Sequence, residues 1–382
     1  MRISLATMLS RRVCHLAAVA LAMCALPCAA ATVTWNGNGA NNNWSTGANW
    51  VGGTAPAGTG AGDTLIFGSG TNRPTTINTV NDFRISATSG AALRFTSAVN
   101  YSLSGSSVVL AGNVSQTAAS SVAIANDIKM SGVRTFALTN ATGTINASGV
   151  ISETGGSASL TKTGPGTLIL GGNNTYTGDT LLQGGTTIIN GTNAASNVLV
   201  SSGATLRGVG RVGNVLVEGA VRAGTNGSSG ILNTGSLTLL DTASSIFNIS
   251  GTTQGSTYNS IKSSGNVDFG LSTLILNLPS STKLPNYSSY KLFDAPSYSS
   301  NIGGIPNVSY LGQDLAFEDK GNGQWEAYNA TIEQAVRFDA TTGTLTVVPE
   351  PSSIVLATMA GGMAGVFGIR RRRQGQSKVA NG

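Results

Sequence analysis

Between residues 32 and 348 the apolar side chains fall in brief alternating runs, and no long stretch follows the 3.6-residue rhythm of an amphipathic helix. The runs lie at 64–67, 93–95, 107–110, 122–125, 167–170, 186–189, 197–200, 215–217, 237–240, 246–249 and 273–278, separated by Gly, Asn, Ser and Thr. Their length and spacing predict short β-strands joined by tight turns. Within 167–170 the alternation puts Leu168 and Leu170 on one face and Thr167 and Ile169 on the other.

One turn of such a chain cannot bury its own inward row. Coils of about twenty residues, each hydrogen-bonded to the next, would share one continuous core. The expected fold is therefore all-β, a parallel β-helix, with a β-sandwich as the alternative because strand spacing alone does not separate the two. The 51 glycines and a charged fraction of only 10% suit short strands and tight turns.

A formal charge of +6 invites a nucleic-acid reading, but position decides against it. Arg2, Arg11 and Arg12 lie at one end, and Arg370, Arg371, Arg372, Arg373 and Lys378 at the other. The body between Thr32 and Val348 holds fourteen basic and fifteen acidic residues, so no nucleic-acid partner is expected. Cys14, His15, Cys24 and Cys28 all precede residue 32. A body without imidazole or thiol has no common zinc site, no Ser-His-Asp relay, no cysteine nucleophile and no disulfide. No catalytic, cofactor or metal residues are assigned.

At the amino end, the arginines, the apolar run 16–26 and Ala29-Ala30-Ala31 read as a signal peptide over 1–31. Ala29 and Ala31 form the A-x-A site for signal peptidase. A lipoprotein reading is weaker, since Met23 and Pro27 precede Cys24 and Cys28 where a small residue is required.

At the other end, Val348-Pro349-Glu350-Pro351 leads into the apolar run 354–369 and then Arg370 to Arg373. Four arginines after the run would hold that end on the cytoplasmic side of a membrane. The ordered set of Pro349, Glu350 and Pro351, an apolar segment and an arginine cluster resembles the PEP-CTERM sorting signal, read by exosortase in exopolysaccharide-producing Gram-negative bacteria. The resemblance implies a sorting segment over 349–374, transient membrane insertion, and a cut near residues 349–351 by an exosortase-like protease. It also implies a cell-surface or extracellular location, with exopolysaccharide as a candidate partner. A plain C-terminal membrane anchor is the alternative.

Residues 160–190, LTKTGPGTLILGGNNTYTGDTLLQGGTTIIN, resemble the autotransporter-associated β-strand repeat of secreted bacterial β-helices. The matching positions include Leu160, Lys162, Gly164, Gly166, Leu168, Leu170, Gly172, Asn173, Tyr176, Gly178 and Gly185, while Thr187 stands where a Leu is common. Gly164-Pro165-Gly166, Gly172-Asn173 and Gly184-Gly185 would supply corners. Residues 204–278 resemble the coils that follow such repeats.

The resulting division is a signal peptide at 1–31, a Trp/Asn/Gly-rich cap at 32–70, β-helix repeats at 71–285, a C-terminal β region at 286–348 and the sorting segment. Trp35, Trp44 and Trp50 lie in the cap segment, which resembles the opening of other proteins with these repeats. They either cover the exposed end of the first coil or form an aromatic platform for glycan contact.

Other motif matches carry little. Gly208 to Gly213 fits G-x-G-x-x-G, but a strand pattern follows where a dinucleotide needs a helix amino-terminus. Ser159 to Lys162 fits S-x-x-K, yet Lys162 would also have to serve a K-T-G motif. Glu153, Asp179, Glu218 and Asp241 are candidates for paired-carboxylate chemistry, with no common face visible. The expected function is an exported structural or adhesive β-helix, with a carbohydrate-binding or polysaccharide-degrading protein as the alternative.

Overall fold

A computed structural model describes residues 30–56, 62–68, 76–83, 90–225, 227–299 and 301–349. Among these residues the chain is strand and turn, with one short 3-10 turn at Gly47–Asn49. The expected parallel β-helix is the fold. A first sheet runs by parallel pairing from Thr32–Trp35 through Ser159–Thr163 and Val215–Val217 to Tyr298–Ser299. A second runs from Thr76–Asn81 to Thr273–Asn277, and a third from Thr192–Asn193 to Phe293–Asp294. The sandwich alternative fails because it needs antiparallel ladders within each sheet.

Register makes the core continuous. In the second sheet Thr144 sits beside Thr167, Thr167 beside Thr186 and Thr186 beside Thr205, so each coil places the same position over the last. One residue along, Ile145, Leu168, Thr187, Leu206 and Val221 form an inward row, and all are buried. Each apolar member contributes about 1.5–3 kcal/mol relative to exposure. A slip of one residue would turn the row outward, so burial fixes the register. Thr187 interrupts the row with a buried hydroxyl that has no hydrogen-bond partner.

The corners follow from glycine. Between the first and second sheets the chain turns at Gly164, where φ is +79° and a Cβ would lie 2.2 Å from the Leu138 carbonyl oxygen of the preceding coil. One coil later Gly185 turns over Gly166 in the same way.

Both ends of the described stack carry aromatic clusters. Trp35, Trp44 and Trp50 pack with Phe67, which stacks at 5.1 Å on Phe95. Near the other end Phe269, Phe293 and Phe338 meet edge to face. Phe338 comes from an antiparallel sheet made of Ser288–Lys291, Thr344–Pro349, Gln334–Asp339, Gln324–Asn329 and Glu318–Gly321.

Candidate functional site

The outward face of the first sheet repeats its chemistry from coil to coil. Asp179, Asn197, Asn214, Ser236 and Asn266 each precede a strand, and the backbone carbonyl of each accepts from an N–H at the start of the strand in the previous coil. Beside them runs an outward row of Leu181, Leu199, Leu216, Thr238 and Asp268. Leu216 is 37% exposed, so part of this apolar row meets solvent. Beyond it lie Gln183, Ser201, Glu218 and Leu240, joined to the coil before through their backbone N–H groups. Asn214 Oδ1 accepts from the Ser236 backbone N–H at 2.9 Å and hydroxyl at 3.0 Å, so side chains also link neighbouring coils. Asp179, Asn197, Leu199, Asn214, Leu216, Ser236 and Thr238 line an open cleft of about 390 Å³. An apolar floor between polar rails can take the ring face of a sugar while amides and hydroxyls meet its hydroxyl groups.

The tryptophans lie elsewhere. Trp35, Trp44 and Trp50 are 2%, 0% and 0% exposed, so none offers a ring face to a ligand. Of the two roles open to them, the possible glycan contact is thereby corrected: the indoles sit edge to face, and Trp50 Nε1 donates to the Trp44 carbonyl oxygen at 2.8 Å. Their area is used in packing the first coils.

The four candidate carboxylates are not brought together as a pair. Glu153 accepts from the Thr177 N–H at 2.9 Å and the Ala158 N–H at 3.0 Å. These backbone bonds, Thr177 first, hold its pKa below the usual range, which suits a turn anchor and not a proton donor. Asp179 and Glu218 share the first-sheet face but stand two coils apart on opposite rails, roughly 16 Å at ordinary strand geometry. Glycosidase carboxylates stand about 5–9.5 Å apart. Asp241 is exposed at a turn after Leu237–Leu239. Among the described residues no group of three or more His, Cys, Asp or Glu is placed to hold a metal ion.

The repeat residues that the sequence singled out have interior roles. Lys162 points into the core between Phe136 and Leu182 and is wholly buried. Its Nζ donates to the carbonyl oxygens of Gly164 at 2.7 Å, Thr163 at 3.1 Å and Gly184 at 3.1 Å. The ammonium therefore ties the corner of its own coil to the corner of the next. Tyr176, Thr180, Asn193 and Ser196 make a second buried network. Asn193 Nδ2 donates to the Tyr176 hydroxyl at 2.7 Å, and the Thr180 hydroxyl lies 2.7 Å from Tyr176 and 2.9 Å from Ser196. Sequence marked Lys162 and Tyr176 as repeat positions but could not show that both side chains point inward.

Burial pulls the Lys162 ammonium from 10.5 down to about 8. Above that value the folded chain has released a proton that the unfolded chain still binds, so this residue makes stability rise with pH until about 10.5. Tyr176, pushed by burial up to about 12, acts in the opposite sense above pH 10. The clean window is thus about pH 8 to 9.5, where the wild type should gain about 1–2 kcal/mol of stability relative to Lys162→Met. Urea midpoints of both proteins across that window check it. Parallel pH profiles would contradict the buried-ammonium account.

The processing residues fall mainly beyond the described part of the chain. Ala29, Glu350, Pro351, Arg370, Arg371, Arg372 and Arg373 lie outside the described residues. Ala31 is exposed, and its N–H donates to Asp63 Oδ1 at 2.9 Å. Pro349 ends the strand Thr344–Pro349, opposite Gln334. The G-x-G-x-x-G match is a turn leading into the strand Arg211–Val212, with Gly208 at φ +134° bridged to Gly224.

Comparison with known proteins agrees with this geometry. Residues 160–192 match the passenger-associated-transport-repeat, and residues 347–373 match the PEP-CTERM protein-sorting motif. A stretch of 73 residues, 19% of this chain, is 49% identical to the extracellular serine protease of Serratia marcescens. That stretch spans 6% of the protease's length. The chain is an exported, passenger-like protein of the cell surface or the extracellular space, and its sorting motif implies processing by an exosortase-type system. Among the described residues no helix is long and apolar enough to cross a membrane.

Proposed function

We propose that the body of this chain is a structural or adhesive module, freed from its signal peptide and its sorting segment and displayed at the cell surface or in the surrounding matrix. The observation that carries this reading is a single stack of parallel coils built on the passenger repeat and joined at its carboxyl end to the sorting motif. A stack of this kind extends in one direction and presents its outer faces along its length. The likeness to a serine protease covers too small a part of that protein to bring its activity here, and the only histidine of this chain, His15, lies in the expected signal peptide.

A second reading, carbohydrate binding, draws on the polar and apolar rows of the first sheet. The primary reading is tested by fractionating cells and sequencing the mature termini by mass spectrometry. The expected product is extracellular or surface-held, begins near residue 32 and ends near 349–351. Full-length protein confined to the cytoplasm, with no trimmed form outside, would overturn it.

A further inference from the structure

Arg207 and Arg222 face outward from the second sheet on neighbouring coils and pair directly in register. Adjacent strands are about 4.8 Å apart, so two like charges stand side by side where a cross-strand pair is ordinarily unlike or neutral. The outward positions of the flanking coils are apolar, Ile188 on one side and Ile246 on the other, the latter set by the register of Val221 with Ser245. Burial lowers the Arg207 pKa, and the Arg222 charge lowers it further. Arg207 Nη2 donates to the Thr225 carbonyl oxygen at 2.7 Å. Arg222 has no hydrogen bond or ion pair among the described residues, although its Nε atom is buried. A half-buried guanidinium without an acceptor, held against a second guanidinium, is a cost that folding alone does not explain.

We propose that Arg207 and Arg222 together bind the carboxylate or sulfate groups of an acidic polysaccharide. Guanidinium groups bind planar oxyanions through paired N–H donors, and one oxyanion between two guanidinia would cancel their repulsion. The row next to the arginines supplies hydroxyl groups: Thr167, Thr186 and Thr205 stand over one another in successive coils and are partly exposed. A polymer lying along the stack would meet the charged pair and this threonine ladder together. Binding itself does not depend on where the protein is displayed, so failure of the surface assignment and failure of this site are separate results.

The test uses the exported protein purified from cells, with Arg222→Gln, Arg207→Gln and, as a control in the third sheet, Arg211→Gln. Polygalacturonate is the acidic probe, dextran the neutral one and sodium sulfate the free anion. Polygalacturonate should bind the wild type and weaken with added salt, and excess dextran should not displace it. Each of the two site substitutions should reduce its affinity about tenfold or more, with Arg211→Gln unchanged. At low millimolar concentration and matched ionic strength, sulfate should raise the melting temperature of the wild type more than that of Arg222→Gln. In anion-free buffer Arg222→Gln should be at least as stable as the wild type, because a repulsion has been removed. Stabilisation by sulfate without polygalacturonate binding would overturn the polysaccharide assignment. No response to either anion, or a loss of stability in Arg222→Gln with binding intact, would make the pair a packing feature and overturn the site itself.

Discussion

Gly191→Ala should destabilise the stack by about 3 kcal/mol or more, whereas Gly184→Ala, in the same repeat, should change stability by less than about 0.5–1 kcal/mol. The difference lies in what a methyl group would meet. At Gly191 a Cβ would stand 2.0 Å from the Gly172 carbonyl oxygen and 2.6 Å from that of Gly171. Both atoms are backbone of the previous coil, so no side-chain rotation relieves the contact. The same crowding recurs along the corner, with Gly172 over Gly149 at 2.1 Å and Gly210 over Gly191 at 2.0 Å. Relief at one position therefore has to separate coils that are hydrogen-bonded through both sheets. At Gly184 the nearest atom is 3.5 Å away and the backbone is not left-handed. Urea unfolding of the two variants decides the matter. A Gly191→Ala protein within about 1 kcal/mol of the wild type would show that the corners are looser than this packing requires.

Trp50→Ala should cost about 3–5 kcal/mol, the usual loss for a large aromatic in a core, and its effect should be local. The Trp50 ring lies 5.1 Å from Trp35, 6.3 Å from Trp44 and 6.2 Å from Phe67, and its N–H is one of the few polar links inside the cluster. In a stack each coil contacts only its neighbours, so opening the first coils leaves distant ones paired. Hydrogen exchange should accelerate over the strands Thr32–Trp35, Thr64–Phe67 and Ala91–Phe95 and stay slow over Thr167–Leu170 and Ala204–Gly208. Uniform acceleration along the chain would mean that the stack unfolds as one unit.

The legibility of the site differed from that of the fold. The sequence exposed the repeat, its corners and its unusual Thr187, because turn residues and period-two alternation are local signals. It did not show that Lys162 points inward, since a lysine on an apolar face reads as an exposed residue until its carbonyl partners are known. Nor did it show that Trp35, Trp44 and Trp50 are enclosed, because an Asn-rich segment with three indoles suits a packed end but is also compatible with a glycan platform. The Arg207 and Arg222 pair went unseen for a related reason. The two residues are neighbours only through the stacking of coils.

By itself the sequence determined that this chain is built of short strands, that its core is shared between coils, and that charge is concentrated at its ends. Those properties depend on residue order within windows of a few residues. The tertiary structure alone decided which coil positions lie over one another, and hence that Leu181, Leu199 and Leu216 make one row and Arg207 and Arg222 a pair. The physical reason is that coil lengths vary. Thr144 to Thr167 is a longer step than Thr167 to Thr186, and Thr205 to Ala220 is shorter still. The register between coils is set by where glycine corners permit backbones to touch and where the inward rows can all be buried at once.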